Sequence, residues 1–423
     1  MDAKIAVKFN NKLSMNINVK NVIMQGSVWS SLKCTTSMDR LKKIALQDES
    51  LQYCYKGDKN IPIEVLGFVD DTLGVSECGK AAIKKNSVIN SFMDCQRLTL
   101  SKEKSVVLHI GKHNKCALPC PKLKVHNDTM EATKCTKYLG NMLSSKGGVP
   151  ETIEDRRKKG WGKIAQIMGI LDEVDMGTNR VEAGLLLRQS ILVNSLLYSA
   201  EAWSSVTEKQ LARLEVVDSA LLAQLTGGHG KTATEFHHLE TGTLKLRHIL
   251  SYLRLLFHHN ILLRDDNETL KKIYLKQKEQ CVKGDWFELL QKDFDFIGVK
   301  MDEEKISSTP KEQYKTEIKQ LIQKAAFKYF TDIQSTHKKI KDIQYEALNI
   351  QTYLVDKSFS QKERKLLYLL RSHCHKSKFN FKKLFKNEIF CRFGCSEIED
   401  KIHTFTKCLP LNYISENTQK KSP

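Results

Sequence analysis

Four side chains suited to metal binding lie close together near the C-terminal end of the sequence. They are spaced as Cys391-x3-Cys395-x7-His403-x4-Cys408. Two pairs of soft ligands, each closed by a short spacer, can converge on a tetrahedral Zn²⁺ ion. The segment has no apolar core of its own, which favours a zinc site over four unconnected residues. A second group of possible metal ligands consists of His113, Cys116, Cys120 and Cys135. This group lacks a convincing second pair of ligands.

An adjacent pair of carboxylates is the other stretch that could do chemistry. Asp70 and Asp71 directly follow the apolar, β-branched run Ile63–Val69. Such a run favours a strand whereas Asp-Asp does not, so the pattern predicts a hairpin with the acidic pair at its tip. Because successive strand residues point to opposite faces, a tight turn is needed to expose both carboxylates together. The alternative is an ordinary solvated turn.

Composition limits the class of protein. The 423 residues are enough for two or three domains, and a hydrophobic content of 41% supports globular folding. Lys and Arg outnumber Asp and Glu by 68 to 49, which suggests a polyanionic partner such as nucleic acid, or else a merely basic surface. No apolar run spans a membrane and Met1–Asn10 has no secretory core, so we expect an intracellular protein, nuclear or cytoplasmic. Twelve cysteines in so long a chain suggest reduced thiols or metal ligands.

Periodicity predicts the elements that must position the acidic pair. Alternation over Ala3–Val19 predicts a β-hairpin, and a helix is expected to begin after Gly26 and Ser27. A helix start leaves free N–H groups that suit an anion, although this one is more simply a cap. Residues 81–92 fit a helix, and Val106–Ile110 fits a strand.

The middle of the sequence is predicted to be helical. Helices are expected at 153–171, 185–202, 211–225, 244–263, 270–280 and 312–342. Thr207 and Gln210 form a capping-box signature before the third of these, and Gly227 ends it. The first helix is expected to expose a basic face made of Arg156, Arg157, Lys158, Lys159 and Lys163. The histidine pairs lack complementary metal ligands at a fixed spacing; they are His237, His238, His258 and His259.

A strongly basic segment precedes the Cys/His group. It has ten Lys or Arg residues between Asp356 and Lys386, against two acidic residues. Four aromatic residues are interleaved with them, namely Tyr368, Phe379, Phe381 and Phe385. Aromatic rings that stack on bases and cations that bind phosphates are typical of single-stranded nucleic-acid binding.

Four of these segments, in this order, resemble the palm of reverse transcriptases, specifically those of non-LTR (LINE-type) retrotransposons. The segments are Gln25-Gly26-Ser27 before a helix, Phe68-Val69-Asp70-Asp71, Lys104-Ser105 before a strand, and Lys137-Tyr138-Leu139-Gly140. The Cys-Cys-His-Cys spacing resembles the zinc knuckle found after the thumb in that family.

The resemblance implies a role for each of these residues. Asp70 and Asp71 would hold Mg²⁺, because the two divalent cations of a polymerase prefer carboxylate oxygens. The loop Gln25–Ser27 would lie beside the incoming nucleotide and template, and Lys104 would take the family's Lys-Ser/Thr place. A strand of Tyr138, Leu139 and Gly140 would contact the primer end. The implied partners are RNA and DNA, with deoxynucleotides as substrates only where activity is retained, and no membrane.

The sequence departs from the family before the acidic pair. Only 24 residues precede Gln25, and the sole acidic one is Asp2, so the further metal-binding carboxylate and the fingers are missing. We therefore expect an α+β fragment: a partial palm (1–145), a helical thumb (146–235), a helical linker (236–350) and a basic segment with the knuckle (351–423). The expected function is nucleic-acid binding without efficient polymerisation. The alternative is a domesticated zinc-knuckle RNA- or DNA-binding protein with no enzymatic role.

Overall fold

The computed structural model describes the chain as two compact units. The first unit comprises 1–137, 143–147 and 265–276, and the second comprises 138–142, 148–264 and 277–423. Within these units the residues described are 3–6, 8–10, 12–19, 28–63, 65–111, 121–125, 127–173, 180–375, 377, 380, 389–400 and 403–408.

The first unit contains many short strands. They are β1 Ala3–Ile5, β2 Lys8–Phe9, β3 Lys12–Leu13, β4 Ile17–Val19, β5 Tyr53–Cys54, β6 Pro62–Ile63, β7 Val65–Phe68, β8 Asp71–Gly74, β9 Val106–Leu108, β10 Lys124–Val125, β11 Asp128–Thr129 and β12 Glu131–Thr133. Antiparallel ladders join β1 to β4, β2 to β3, β5 to β6, β7 to β8 and β10 to β11. Strands β9 and β12 pair in parallel. The hairpin predicted over Ala3–Val19 is thereby confirmed.

Two helices pack on the acidic hairpin of the first unit. Helix α1 spans Val28–Gln47 and helix α2 spans Gly79–Cys95. Their apolar residues share a core with Val65 of β7, formed by Met38, Leu41, Ala45, Phe92 and Met93. Burying this side of the hairpin leaves its tip in solvent, where Phe68 is 60% exposed.

The second unit is predominantly helical. Strands β13 Cys135–Tyr138 and β14 Asn141–Ser144 are joined by a turn at Leu139 and Gly140, and residues 138–142 of this hairpin are grouped with the second unit. The helices are α3 Pro150–Glu173, α4 Arg180–Leu187, α5 Asn194–Leu196, α6 Glu208–Thr226, α7 Thr234–Thr241, α8 Leu246–Leu262, α9 Thr269–Gln280, α10 Trp286–Ile297, α11 Glu303–Ser308, α12 Lys311–Thr336, α13 Thr352–Val355 and α14 Gln361–Arg371. Helix α9 runs across the division, with its residues to Lys276 grouped with the first unit.

The main core of the second unit lies between α3 and α6. Its fully buried members include Ile153 and Ile167 of α3 and Leu214 of α6. Gly160 lets the helices approach closely, because a Cβ there would lie 2.8 Å from Leu196 and 2.9 Å from Val217. Any larger residue at position 160 would force these neighbours apart.

Local capping signals are confirmed, whereas two predicted helices differ. Thr207 and Gln210 form the reciprocal capping box of α6, and Gly227 ends that helix with φ +73°. The predicted helix 185–202 instead ends at Leu196, after passing through a π-helical segment at Arg188–Val193. Helix α12 ends at Thr336, because the chain turns there and the side chain of Gln334 donates to the carbonyl oxygens that follow the helix.

A buried carboxylate joins segments of the second unit that are far apart in sequence. Glu240 of α7 is fully buried and accepts hydrogen bonds from Arg371, at 2.8 Å from its Nη2 and at 3.0 and 3.1 Å from its Nε. The hydroxyl groups of Tyr345 and Tyr353 donate to the same carboxylate. Gly242 permits this closure, since a Cβ there would lie 2.5 Å from the backbone of Asn349 and Ile350. We call the side chains of Glu240, Tyr345, Tyr353 and Arg371 the Glu240 cluster.

The overall class is mixed, as an α+β prediction requires. Helices are combined with short, mostly antiparallel two-stranded sheets. Among the described residues these ladders remain separate two-stranded sheets. No helix in the described part of the chain is long and apolar enough to cross a membrane.

Candidate metal centre

The predicted Cys/His group converges on one point of the second unit. The ligand atoms of Cys391, Cys395, His403 and Cys408 all lie within 4.8 Å of one another. The Sγ of Cys408 is 3.7 Å from that of Cys391 and 3.9 Å from that of Cys395. A tetrahedral ion with metal–sulfur bonds of about 2.3 Å places its sulfur ligands about 3.8 Å apart. The group could therefore hold a metal ion such as zinc.

A short ribbon positions the first two ligands. The N–H of Cys391 donates to the carbonyl of Glu397 at 2.9 Å, and the N–H of Glu399 donates to Ile389 at 2.8 Å. The chain reverses at Gly394, whose φ of +87° is strained for any residue with a Cβ. The N–H of Phe393 donates to the sulfur of Cys391 at 3.4 Å, so the backbone already stabilises negative charge on that atom.

A single π-helical turn positions the other two ligands. It spans His403–Lys407, and the carboxylate of Asp400 accepts the N–H of His403 at 2.7 Å at its start. At its end the N–H of Cys408 donates to the carbonyl of His403 at 2.7 Å. The turn therefore holds His403 and Cys408 on the same side.

An ion pair ties the ribbon together beside the metal ligands. Arg392 follows Cys391, and its Nε donates to both carboxylate oxygens of Glu399, at 3.0 and 2.9 Å. The backbone N–H of Arg392 also donates to Glu399, whose side chain is only 3% exposed. Sequence reasoning missed this pair, although an Arg next to a metal-binding Cys and a nearby Glu are visible in the sequence.

The ionisation of the thiols fits a site that takes a cation. Burial raises the pKa of Cys391, but the N–H of Phe393, together with His403 and Cys408, outweighs burial and lowers that pKa to about 7. Burial, followed by the neighbouring thiols, raises the pKa of Cys395 to about 11. The thiol of Cys391 therefore loses its proton readily, whereas deprotonation of Cys395 is disfavoured. A bound divalent cation would stabilise both thiolates.

The histidine supplies an independent test of the fit. His403 is 3% exposed, and neither ring nitrogen has a hydrogen-bond partner within the described part of the chain. A buried imidazole without partners is costly, whereas coordination to a metal would satisfy one nitrogen. The residues present therefore fit a bound metal ion.

The acidic pair lies at the tip of the predicted hairpin in the first unit. Phe68 pairs with Asp71 across β7 and β8, so the turn consists of Val69 and Asp70. Both carboxylates are exposed. Among the described residues they belong to no group of three metal ligands. The hairpin prediction is confirmed, but two carboxylates alone make a weak cation site.

The turn itself is strained. Val69 has φ +57°, a left-handed conformation that is unfavourable for a β-branched residue. Its carbonyl accepts the thiol of Cys34 on α1 at 3.1 Å, which helps to hold the turn. Burial, with a contribution from the charge of Asp70, raises the pKa of Cys34 and keeps it protonated as a donor. Strain of this kind occurs preferentially at functional sites.

The remaining palm-like residues are distributed between the units. Gln25, Gly26 and Ser27 lie outside the described residues. Lys104 is exposed in a turn before β9 of the first unit. Tyr138 ends β13, but Leu139 and Gly140 have φ of +45° and +82° and form the turn itself. The expected Tyr-Leu-Gly strand is therefore wrong, because the chain reverses where the strand should continue.

Two predictions of exposed binding groups are also wrong. Arg156 is only 6% exposed, because it turns toward the carbonyl of Gly140 rather than toward solvent. Tyr368 is fully buried and hydrogen-bonded to Nδ1 of His237, so its ring cannot stack on a base. The other three aromatic residues proposed for stacking, at 379, 381 and 385, lie outside the described residues.

The histidine pairs of the helical region belong to the core. His237, His238, His258 and His259 are buried, and within the described residues none of them joins a metal-binding group. His113, Cys116 and Cys120 of the competing group lie outside the described residues. The C-terminal quartet is thus the metal-binding candidate that the described part of the chain presents.

No protein-family profile matches the chain, and no curated protein matches it either.

Proposed function

We propose that this chain is a nucleic-acid-binding protein related to the reverse transcriptases of LINE-type retrotransposons. It would contain part of a polymerase palm in residues 1–145 and a zinc knuckle near its C-terminal end. The observation that carries the proposal is the exposed Asp70–Asp71 pair at the tip of β7–β8, on a strained turn. The order of the other palm-like segments and the net charge of +19 support it.

The proposed protein polymerises poorly. Two-metal catalysis needs carboxylates that clamp both ions on the attacking and leaving oxygens. Asp70 and Asp71 have no third ligand within reach among the described residues. RNA and DNA would therefore be partners, and Mg²⁺ would bind weakly at this hairpin.

Primer extension tests the enzymatic part of the proposal. The full chain would be given a primed RNA template, deoxynucleotides and Mg²⁺ beside its Asp70→Ala variant. We expect no incorporation above that of the variant. Robust DNA synthesis that depends on Asp70 would contradict the proposal that the chain polymerises poorly. It would also strengthen the proposed relationship to reverse transcriptases.

The second candidate is a zinc-dependent RNA- or DNA-binding protein without an enzymatic role. It is favoured by the Cys391, Cys395, His403 and Cys408 geometry and by Phe390 and Phe393, which are 58% and 42% exposed beside that group. Exposed aromatic rings can stack on bases. Filter binding of RNA with the chain and its Cys391→Ser and Cys408→Ser variants tests it. Unchanged affinity together with absence of bound zinc would remove this candidate.

A further inference from the structure

A basic cavity lies in the second unit, and the candidate metal ligands are not among its lining residues. Its volume is about 320 Å³. It is bordered by the end of α6, the start of α4, α13 and the first turns of α14. That volume falls at the lower end of the range found for small-molecule sites.

The lining of this cavity is cationic. Its charged members are Arg180, Lys362, Arg364 and Lys365, and none of the described lining residues is acidic. Arg180 is also paired with Asp172, so part of its charge is already neutralised. Among the described residues, neither Lys362 nor Lys365 forms an ion pair. The cavity therefore presents a surplus of positive charge to a ligand.

The fold holds these cations in place. Arg364 is only 4% exposed, and its Nη2 donates to the carbonyl oxygen of Asp356. The stem of Lys365 packs on Gly227, where a Cβ would lie 2.6 Å from its Cγ. The capping box of Ser360 and Glu363 fixes the first turn of α14. Three of the four cations thus lie on one ordered helix, and the side chains of Lys362 and Lys365 remain exposed to a ligand.

We propose that this cavity binds a phosphate group. A tetrahedral dianion or phosphodiester matches a cavity lined by two Lys and two Arg side chains, because both types of side chain bind phosphate oxygens. The inference rests on the proposed function for the carrier, which would be the backbone of a single-stranded nucleic acid. Phosphate binding by the cavity does not depend on the proposed function, because the same side chains would bind a free phosphate ion.

The first test measures binding of a fluorescein-labelled oligouridylate to the full chain over a range of salt concentrations. Lys362→Gln with Lys365→Gln should weaken binding about tenfold and reduce the log–log salt slope by about 1.4, since each lost phosphate contact on a single strand accounts for about 0.7. Lys319→Gln with Lys324→Gln, two exposed lysines of α12, is the matched control and should have a much smaller effect. Equal losses of oligouridylate affinity in the two double variants would show that the cavity is not a specific binding site.

A third variant separates the cavity from general charge. Gln224 lines the cavity and is exposed, so Gln224→Glu adds a negative charge of nearly the same shape without disturbing the core. We expect it to weaken oligouridylate binding as strongly as one lysine substitution, with an unchanged melting temperature. Binding that is indifferent to Gln224→Glu would contradict the proposal.

Calorimetric titration with inorganic phosphate distinguishes the two sources. Phosphate that binds and is lost in the lysine variant, without oligouridylate binding, supports the cavity and removes the nucleic-acid function. Sensitivity of both ligands to the lysine variant supports the cavity and the polynucleotide carrier together. Oligouridylate binding that no cavity variant alters, with no phosphate binding, overturns the cavity and leaves the proposed function standing.

Discussion

Arg156 of α3 donates a hydrogen bond of 2.7 Å from its Nη2 to the carbonyl oxygen of Gly140. The same guanidinium lies 5.2 Å from the ring centre of Tyr198, within the range of a cation–π interaction. A Cβ on Gly140 would lie 3.0 Å from that ring. The turn between β13 and β14 is therefore held against the helical core by one buried arginine.

Replacing this arginine should destabilise the second unit. Arg156→Met keeps most of the aliphatic stem but leaves the Gly140 carbonyl without its donor and removes the contact with Tyr198. We expect the free energy of unfolding to fall by about 1–3 kcal/mol. Urea unfolding followed by tryptophan fluorescence measures it, with Lys158→Met on the exposed side of α3 as the control. Equal unfolding midpoints for both variants would contradict the role assigned to Arg156.

The C-terminal quartet should hold one zinc ion per chain. Elemental analysis of the purified protein measures the stoichiometry, and substitution with Co²⁺ should give the absorption of a tetrahedral thiolate complex. Cys408→Ser should abolish both signals, because Cys408 is the sulfur shared by the two short S···S distances. Cys95→Ser, an exposed cysteine of α2, is the control and should change neither. Full occupancy in Cys408→Ser would exclude this ligand set.

The Arg392–Glu399 pair should set the affinity for that metal. Arg392→Met removes the clamp between the two sides of the ribbon without touching a ligand. Supporting interactions of this kind typically change metal affinity by about 10- to 100-fold. Competition with a zinc chelator measures the change, and Glu397→Gln provides a control at an exposed carboxylate three residues from Asp400. Identical zinc affinities for the two variants would show that the ion pair does not affect metal binding.

The buried histidines should make the second unit sensitive to acid. Burial lowers the pKa of His237 to about 4, against an opposing effect of Glu235, and burial with Arg247 and Lys245 lowers that of His248 to about 3. Below about pH 6.5 the unfolded chain binds protons that the folded chain excludes, so stability is lost as pH falls toward these values. Each histidine should contribute roughly 1.4 kcal/mol per pH unit in that window. Unfolding midpoints at pH 7, 6 and 5 measure the slope.

A variant at His248 isolates its share of that slope. The ring stacks on Phe296, with centroids 5.0 Å apart, and neither of its nitrogens has a hydrogen-bond partner in the described residues. His248→Phe should therefore fit the site and flatten the pH dependence between pH 6.5 and 5. His109→Phe, at an exposed position, should leave it unchanged. A wild-type slope in His248→Phe would mean that this histidine does not resist protonation.

Local signals in the sequence predicted local structure well. The β7–β8 hairpin, the capping box of Thr207 and the helix end at Gly227 depend on neighbouring residues, so a few positions suffice to predict them. The Cys391–Cys408 spacing succeeded for the same reason, because short spacers between ligands limit where the side chains can go.

Long-range contacts explain the failures. Arg156 and Tyr368 have polar or basic character that suggests a surface position, but each is satisfied by a residue on another element, namely Gly140 and His237. The cavity cations belong to the same class, since Arg180 and Lys365 are 185 positions apart in the sequence and meet only after α4 and α14 have packed. Periodicity within one helix carries no information about such partners.

The Glu240 cluster has a consequence for the way in which the chain folds as it is made. Arg371 leaves the ribosome 131 residues after Glu240. At 5–20 residues per second, that delay is roughly 7–26 s. Glu240 must remain hydrated throughout this interval, because burying its carboxylate without its partners would cost several kcal/mol. Helix α7 is therefore expected to reach its final position only after Arg371 has been synthesised.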